Sequence, residues 1–201
     1  MGHLAQNDFF RLFIGFSSVC LAFFSLLYFF SEPVIFIASI YFIATCSWDS
    51  VRAKIPNFLN ASLAIAGLAL FFYNDGWAGL VTGTGGLILG LCLLIIPWLM
   101  GGMGAGDVKA LAALGALLGP SQLIHVFIYM GLIGGVMAVL HYAFERNLVA
   151  KTSGWFHTLM ASALTKDPRL LVPETTEVSR FPYAAAIAFG YYSYLAFGKV
   201  F

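Results

Sequence analysis

Gly101-Gly102-Met103-Gly104-Ala105-Gly106-Asp107-Val108-Lys109 stands between two apolar runs, residues 87–100 before it and 110–118 after it. An acid at the edge of hydrocarbon is costly unless it has a partner or a use, so Asp107 is a functional candidate by default. The glycines around it let the backbone turn tightly and let a second chain approach closely. The stretch reads as a site where one membrane-length segment ends and the next begins.

Composition agrees with that reading. Of 201 residues, 61% are hydrophobic and only 9% are charged, and the mean hydropathy is +0.90. A polar, water-facing surface cannot be built from such a chain. The expected fold is all-α, a polytopic membrane helix bundle of about seven transmembrane helices forming a single integral membrane domain over residues 1–201. With a net charge of +1 and no cluster of Lys and Arg, binding to a nucleic-acid backbone is excluded. Cys20, Cys46 and Cys92 all fall in apolar runs without a C-x-x-C pair and read as buried packing residues. His3, His125, His141 and His157 lack the spacing of a metal site and read as interfacial or packing residues. No metal and no cofactor is expected.

Outward from the glycine-rich stretch, seven spans can be marked. The first, 9–30, is long enough for a roughly 30 Å hydrocarbon core and reads as a retained helix; a signal peptide has a shorter apolar core and a small-residue cleavage site. The second, 34–48, ends at Asp49. The loop Ser50-Val51-Arg52-Ala53-Lys54-Ile55-Pro56-Asn57 precedes the third, 58–73, and Asn74-Asp75-Gly76 is a turn signature. The fourth, 80–100, is preceded by Gly79 and carries Gly83, Gly86 and Gly90, spaced for close helix packing. The fifth, 107–118, is short and must either start before the acid or lie where protein surrounds it. Gly119-Pro120 ends it. The sixth is 123–144, and Phe181-Pro182-Tyr183 opens the seventh, which reaches residue 197. Between them, 145–180 forms the long hydrophilic interval, a cytoplasmic loop whose residues 153–165 have the pattern of an amphipathic helix, lying on the membrane or packed on the bundle.

Two full spans separate Asp49 from Asp107, so both acids return to the same face of the membrane. With a cytoplasmic amino terminus, nine of the ten Lys and Arg residues lie on the cytoplasmic side and only Lys199 lies opposite, which sets the orientation.

Taken singly, Asp107 has the ordinary explanation of a helix cap, and Asp49 that of an interfacial charge near Arg52 and Lys54. Taken together at one face they suit acid and base catalysis. Like charges in a poorly solvated site do not both ionise readily, so the pair should hold one proton between them. The ionised member would accept a proton from water as it attacks a peptide carbonyl, and the protonated member would donate to the carbonyl oxygen. Lys109, about 200° around the helix from Asp107, should point away from the acid and is placed to reach lipid phosphate.

Residues 101–119 resemble the G-x-G-D signature of the type IV prepilin peptidases. Asp49 with Arg52, Lys54 and Ile55-Pro56-Asn57 resembles that family's first-aspartate motif, and Pro182 with the run that follows is similar to its final helix. The resemblance covers roughly 34–198 and implies a six-helix peptidase core with one extra amino-terminal helix, 9–30. It implies a membrane-embedded aspartyl endopeptidase of the bacterial cytoplasmic (inner) membrane, with its active site facing the cytoplasm. Asp49 and Asp107 would be the catalytic pair, supported by Gly104, Gly106, Lys109, Ile55, Pro56, Asn57 and Pro182. The implied partner is a prepilin with a basic leader, a Gly before the scissile bond and an apolar helix, met among membrane lipid. Larger members of the family carry an insert with paired C-x-x-C motifs and also methylate the new amino terminus. That insert is missing here, so the chain resembles the short, peptidase-only form that serves tight-adherence (Flp) pili.

Glu174 and Glu177, in the long interval, are candidates for attracting a basic leader by electrostatic steering. Two other classes compete with the enzyme. A proton- or cation-coupled transporter would use two intramembrane acids, and a non-catalytic subunit of a secretion or pilus assembly would use them only for helix register.

Overall fold

The computed structural model describes residues 2–29, 31–52, 54–100, 103–144 and 182–200. They form five helical runs: α1 (Gly2–Tyr28), α2 (Pro33–Arg52), α3 (Asn57–Leu99), α4 (Ala105–Phe144) and α5 (Tyr183–Phe197). The described residues contain no strand, and the fold is all-α. Helices α1 to α4 each contain a stretch long and apolar enough to cross a membrane.

A straight helix of 43 residues would reach roughly 65 Å, about twice the thickness of a bilayer core. α3 is instead folded at Gly76 (φ 60°), and α4 at Gly119 (φ 75°). Both torsions lie in the left-handed region that glycine enters without steric cost. Both breaks fall where the sequence has turn chemistry, Asn-Asp-Gly and Gly-Pro. Counting the halves of α3 and α4, the described residues make seven helical segments. Two of them, the first half of α4 and α5, are shorter than the hydrocarbon core. Boundaries shift by a few residues from expectation: α1 starts before residue 9, and α4 starts at Ala105, ahead of the acid.

The first half of α4 is the centre of the bundle. Ala110, Leu111, Ala113, Leu114, Ala116 and Leu117 are all buried, so this short segment is lined by protein and need not match the bilayer thickness. Its neighbours reach it through glycine. A Cβ on Gly86 would run into the Gly115 carbonyl, and one on Gly90 would lie 2.7 Å from the Ala112 Cα. On another side, a Cβ on Gly67 would come within 2.6 Å of the Leu117 Cα. The two halves of α3 therefore clasp the start of α4, one parallel to it and one antiparallel.

α5 runs antiparallel to the second half of α4, with Gly190 against the Met130 backbone. It meets α2 through Phe42, whose ring lies 5.6 Å from Tyr191 and 5.8 Å from Tyr192. α1 packs on α2 where Gly15 faces Ser50 and Cys46. The outer surface is apolar, with Phe16, Ile65 and Val139 among its exposed side chains, as a bilayer solvent requires.

One expectation needs correction. Cys46 is buried, but Cys20 and Cys92 are exposed, because they lie on helix faces turned outward from the bundle. His125 is a packing residue: it is buried, stacks on Tyr194 at 6.0 Å, and its Nδ1 accepts from the Val200 N–H at 3.3 Å.

Candidate active site

The buried residues of α2 include Ala38, Phe42, Thr45, Cys46 and Asp49, spaced three and four apart along one face. Asp49 continues an inward apolar stripe and is only 8% exposed. The last turns of α2 are tightened by two side chains bonded back to the helix, Thr45 Oγ1 to the Tyr41 carbonyl and Ser50 Oγ to the Cys46 carbonyl. Near the Asp49 carboxyl lie the backbone at Ala184 and the side chain of Arg11. Ala184 lies in the first turn of α5, where amide N–H groups have no partner within their own helix. Pro182, buried at the head of α5, sets that turn.

Asp107 is the third residue of α4 and is 9% exposed. Its Oδ2 accepts from the Gly104 N–H at 3.1 Å, and its own N–H donates to the Gly104 carbonyl at 3.1 Å. This reciprocal bracket is the reaching-back half of a capping box. The capping role foreseen for Asp107 is thus present, one turn later than a residue that itself starts the helix. The bracket also fixes the direction of the carboxyl. Gly104 is closely constrained, since a Cβ there would lie 3.2 Å from Asp107 Oδ2.

The motif residues converge on this turn. Ile55 is buried, and a Cβ on Gly106 would touch its Cβ at 3.4 Å. Pro56 heads α3 with φ −66°, and Asn57 Oδ1 accepts from Lys109 Nζ at 3.1 Å. Lys109 is exposed and directed away from the acid, and its partner is Asn57. Arg52, named with Lys54 in the ordinary explanation of Asp49 as an interfacial charge, lies 4.4 Å above the Trp48 ring.

The two acids lie at the same end of the bundle, where α2 ends and α4 and α5 begin. The charge of Asp49 acts on Asp107, so the carboxyls lie within electrostatic reach of each other, each largely withdrawn from solvent. Glu174 and Glu177, with the interval 145–180, lie outside the described residues. Among the described residues no three His, Cys, Asp or Glu side chains gather to hold a metal ion.

Three contributors were not singled out from sequence. Arg11, whose sequence signal is only its part in the charge skew, donates from Nε to the Ser50 carbonyl at 3.1 Å. Asn60 is a buried polar residue inside an apolar run, a signal of the same kind that marked the acids. Tyr41 carries no sequence signal beyond its aromatic character. A cavity of about 320 Å³ opens between α3, α4 and α5, lined by Leu94, Met103, Phe127, Met130, Tyr183 and Ala186 among others and not by either acid. Two of its walls adjoin the acid-holding backbone, since Met103 precedes Gly104 and Tyr183 precedes Ala184.

Fold and site together define a helical membrane protein that brings two buried carboxyls from separate helices to one end of its bundle. The chain belongs to the type IV leader peptidase family, whose sequence profile matches residues 34–139, a stretch that includes both acids. Membership makes it a peptide-bond hydrolase with a prepilin-like substrate in general. No curated protein and no solved structure gives a match to the chain. α1 and α5, which supply Arg11 and Ala184, lie outside the matched residues.

Proposed function

We propose that Asp49 and Asp107 are the catalytic pair of a membrane aspartyl endopeptidase that removes the leader of a type IV prepilin. The observation that carries the proposal is the placement at one end of the bundle of two buried acids, 8% and 9% exposed, from different helices in a chain of the leader peptidase family. A transporter reading fits less well, because both acids sit at one end of the bundle and not midway along it.

In the proposed reaction a water is held between the carboxyls, one ionised and one protonated. As the water oxygen bonds to the scissile carbonyl carbon, its proton passes to the ionised carboxylate. The protonated acid donates to the carbonyl oxygen, giving a neutral gem-diol. The first acid then returns its proton to the amide nitrogen and the C–N bond breaks. The second takes a proton from the diol as the new carboxylic acid forms, which restores the pair.

The finer assignment follows the sequence. The skew of Lys and Arg supports a cytoplasmic active site in a bacterial inner membrane. The chain has three cysteines and no C-x-x-C, in keeping with a peptidase-only form of the tight-adherence (Flp) type whose substrate has a basic leader, a Gly before the cut and an apolar helix. Glu174 and Glu177 are proposed to attract that leader.

Cleavage of a purified prepilin by wild type, Asp49→Asn and Asp107→Asn tests the pair. Asparagine at 107 keeps an oxygen to accept from Gly104, so the turn is retained while the acid is lost. Both variants should insert normally and fall by at least about 10³-fold in kcat. Wild-type cleavage by either, correctly inserted, defeats the assignment.

A further inference from the structure

Asn60 is 4% exposed, and both ends of its amide are bonded. The Tyr41 hydroxyl donates to Asn60 Oδ1 at 2.7 Å, and Asn60 Nδ2 donates to the Gly106 carbonyl at 3.1 Å. Chemistry fixes which way the amide points: a backbone carbonyl can only accept, so the NH₂ must face Gly106 and the oxygen must face Tyr41. Tyr41 itself is 6% exposed.

This short relay crosses three helices. Tyr41 is on α2, the helix of Asp49, and Gly106 is in the first turn of α4, the helix of Asp107. The Gly106 carbonyl and the Asp107 N–H belong to one planar peptide unit. Asn60 holds one edge of that plane. Gly104 holds the other, through the 3.1 Å bond from the Asp107 N–H to its carbonyl. With both edges held, the plane cannot rock, and the side chain leaving Asp107 Cα has a fixed direction.

We propose that Asn60, itself oriented by Tyr41, is a positioning residue for the Asp107 carboxyl and sets its aim relative to Asp49. The inference rests on the catalytic pair proposed above. Neither side chain hydrogen-bonds to Asp49 or Asp107; their bonds reach the acid through the peptide that carries it. Packing alone does not account for the arrangement, since an apolar side chain of similar volume would fill the space without the need to satisfy a buried amide on two sides.

The test uses the full-length protein in detergent micelles or liposomes, steady-state cleavage of a purified prepilin, and thermal unfolding of the same samples. Asn60→Asp keeps the shape and the oxygen facing Tyr41 but turns an oxygen toward the Gly106 carbonyl. Its kcat per folded molecule should fall by about 10- to 100-fold, the scale of a misplacement near 1 Å, while KM stays within about twofold. Tyr41→Phe should lower kcat by roughly fivefold, as loss of one net hydrogen bond would. Because the two act in series, the double variant should be no slower than Asn60→Asp alone.

Wild-type kcat in folded Asn60→Asp overturns the proposal, and so does a fall confined to melting temperature and yield. Should Asn60→Asp fail to insert, Tyr41→Phe decides by the same criterion. Asp49→Asn and Asp107→Asn, assayed alongside, separate this inference from the one beneath it. If they are inactive while Asn60→Asp is unimpaired, only the positioning role fails; if they also cleave, the pair itself fails.

Discussion

Lys109 Nζ donates to Asn57 Oδ1 across 3.1 Å, joining residues 52 positions apart in sequence. The bond ties the start of α4 to the first residue of α3, so two of the three motifs that carry the family resemblance also touch in space. It is exposed, however, and an exposed polar tie contributes below about 1 kcal/mol. Lys109→Met and Asn57→Ala should each slow prepilin cleavage only a few-fold. The double variant should match the singles, since each removes the same bond. A summed loss in that cycle would show that the residues act separately.

Helix contacts made through backbone leave far less tolerance. A Cβ on Gly86 would occupy the position of the Gly115 carbonyl, whereas one on Gly85, a single residue earlier, meets nothing within 4 Å. Gly86→Leu should force α3 away from α4 and destabilise by about 3 kcal/mol or more, at the upper end of overpacking effects. Gly85→Leu should melt like wild type. Thermal unfolding in detergent distinguishes them, and equal melting temperatures would contradict the clasp.

The same contrast explains what could be read from the chain and what could not. Gly76 and Gly119 were legible as breaks because Asn-Asp-Gly and Gly-Pro act locally. Asp49 and Asp107 were legible because an acid beside hydrocarbon needs a reason, and span parity put them on one face. Cys20 and Cys92 were misjudged because lipid and protein interior are equally apolar: hydropathy marks a span without saying which of its faces looks inward. Tyr41, Asn60 and Arg11 share a deeper difficulty. Their roles depend on the register of α1, α2 and α3 against α4, and register is set by contacts such as Gly67 on Leu117 and Gly15 on Ser50 that no single helix encodes.

Gly104 tests the bracket around Asp107 with the smallest possible change. A methyl there would lie 3.2 Å from Oδ2, closer than an ordinary carbon–oxygen contact, so the carboxyl must rotate or the turn must open. Gly104→Ala should leave the melting temperature nearly unchanged and lower kcat by roughly tenfold or more through misalignment. A variant that cleaves at the wild-type rate would show that the acid's aim does not depend on this bracket.

Arg11 offers a test beyond the matched residues. Its side chain lies near Asp49, and its Nε donates to the Ser50 carbonyl at 3.1 Å, so an amino-terminal helix outside the family match brings a cation into the neighbourhood of the first acid. Arg11→Met removes both the charge and the bond while keeping much of the apolar stem. A hydrogen bond from a charged group is worth about 1.5–3 kcal/mol, which corresponds to a kcat roughly 10- to 100-fold lower if Asp49 depends on it. Arg11→Lys keeps the charge without the planar fork and should recover only part of the rate. Arg52→Met is the control: that cation sits over Trp48, and its loss should change cleavage little. If Arg11→Met and Arg52→Met cleave equally well, α1 is a packing element and the site is complete without it. If only the first is slow, with an unchanged melting temperature, the helix that precedes the matched core is part of the active site.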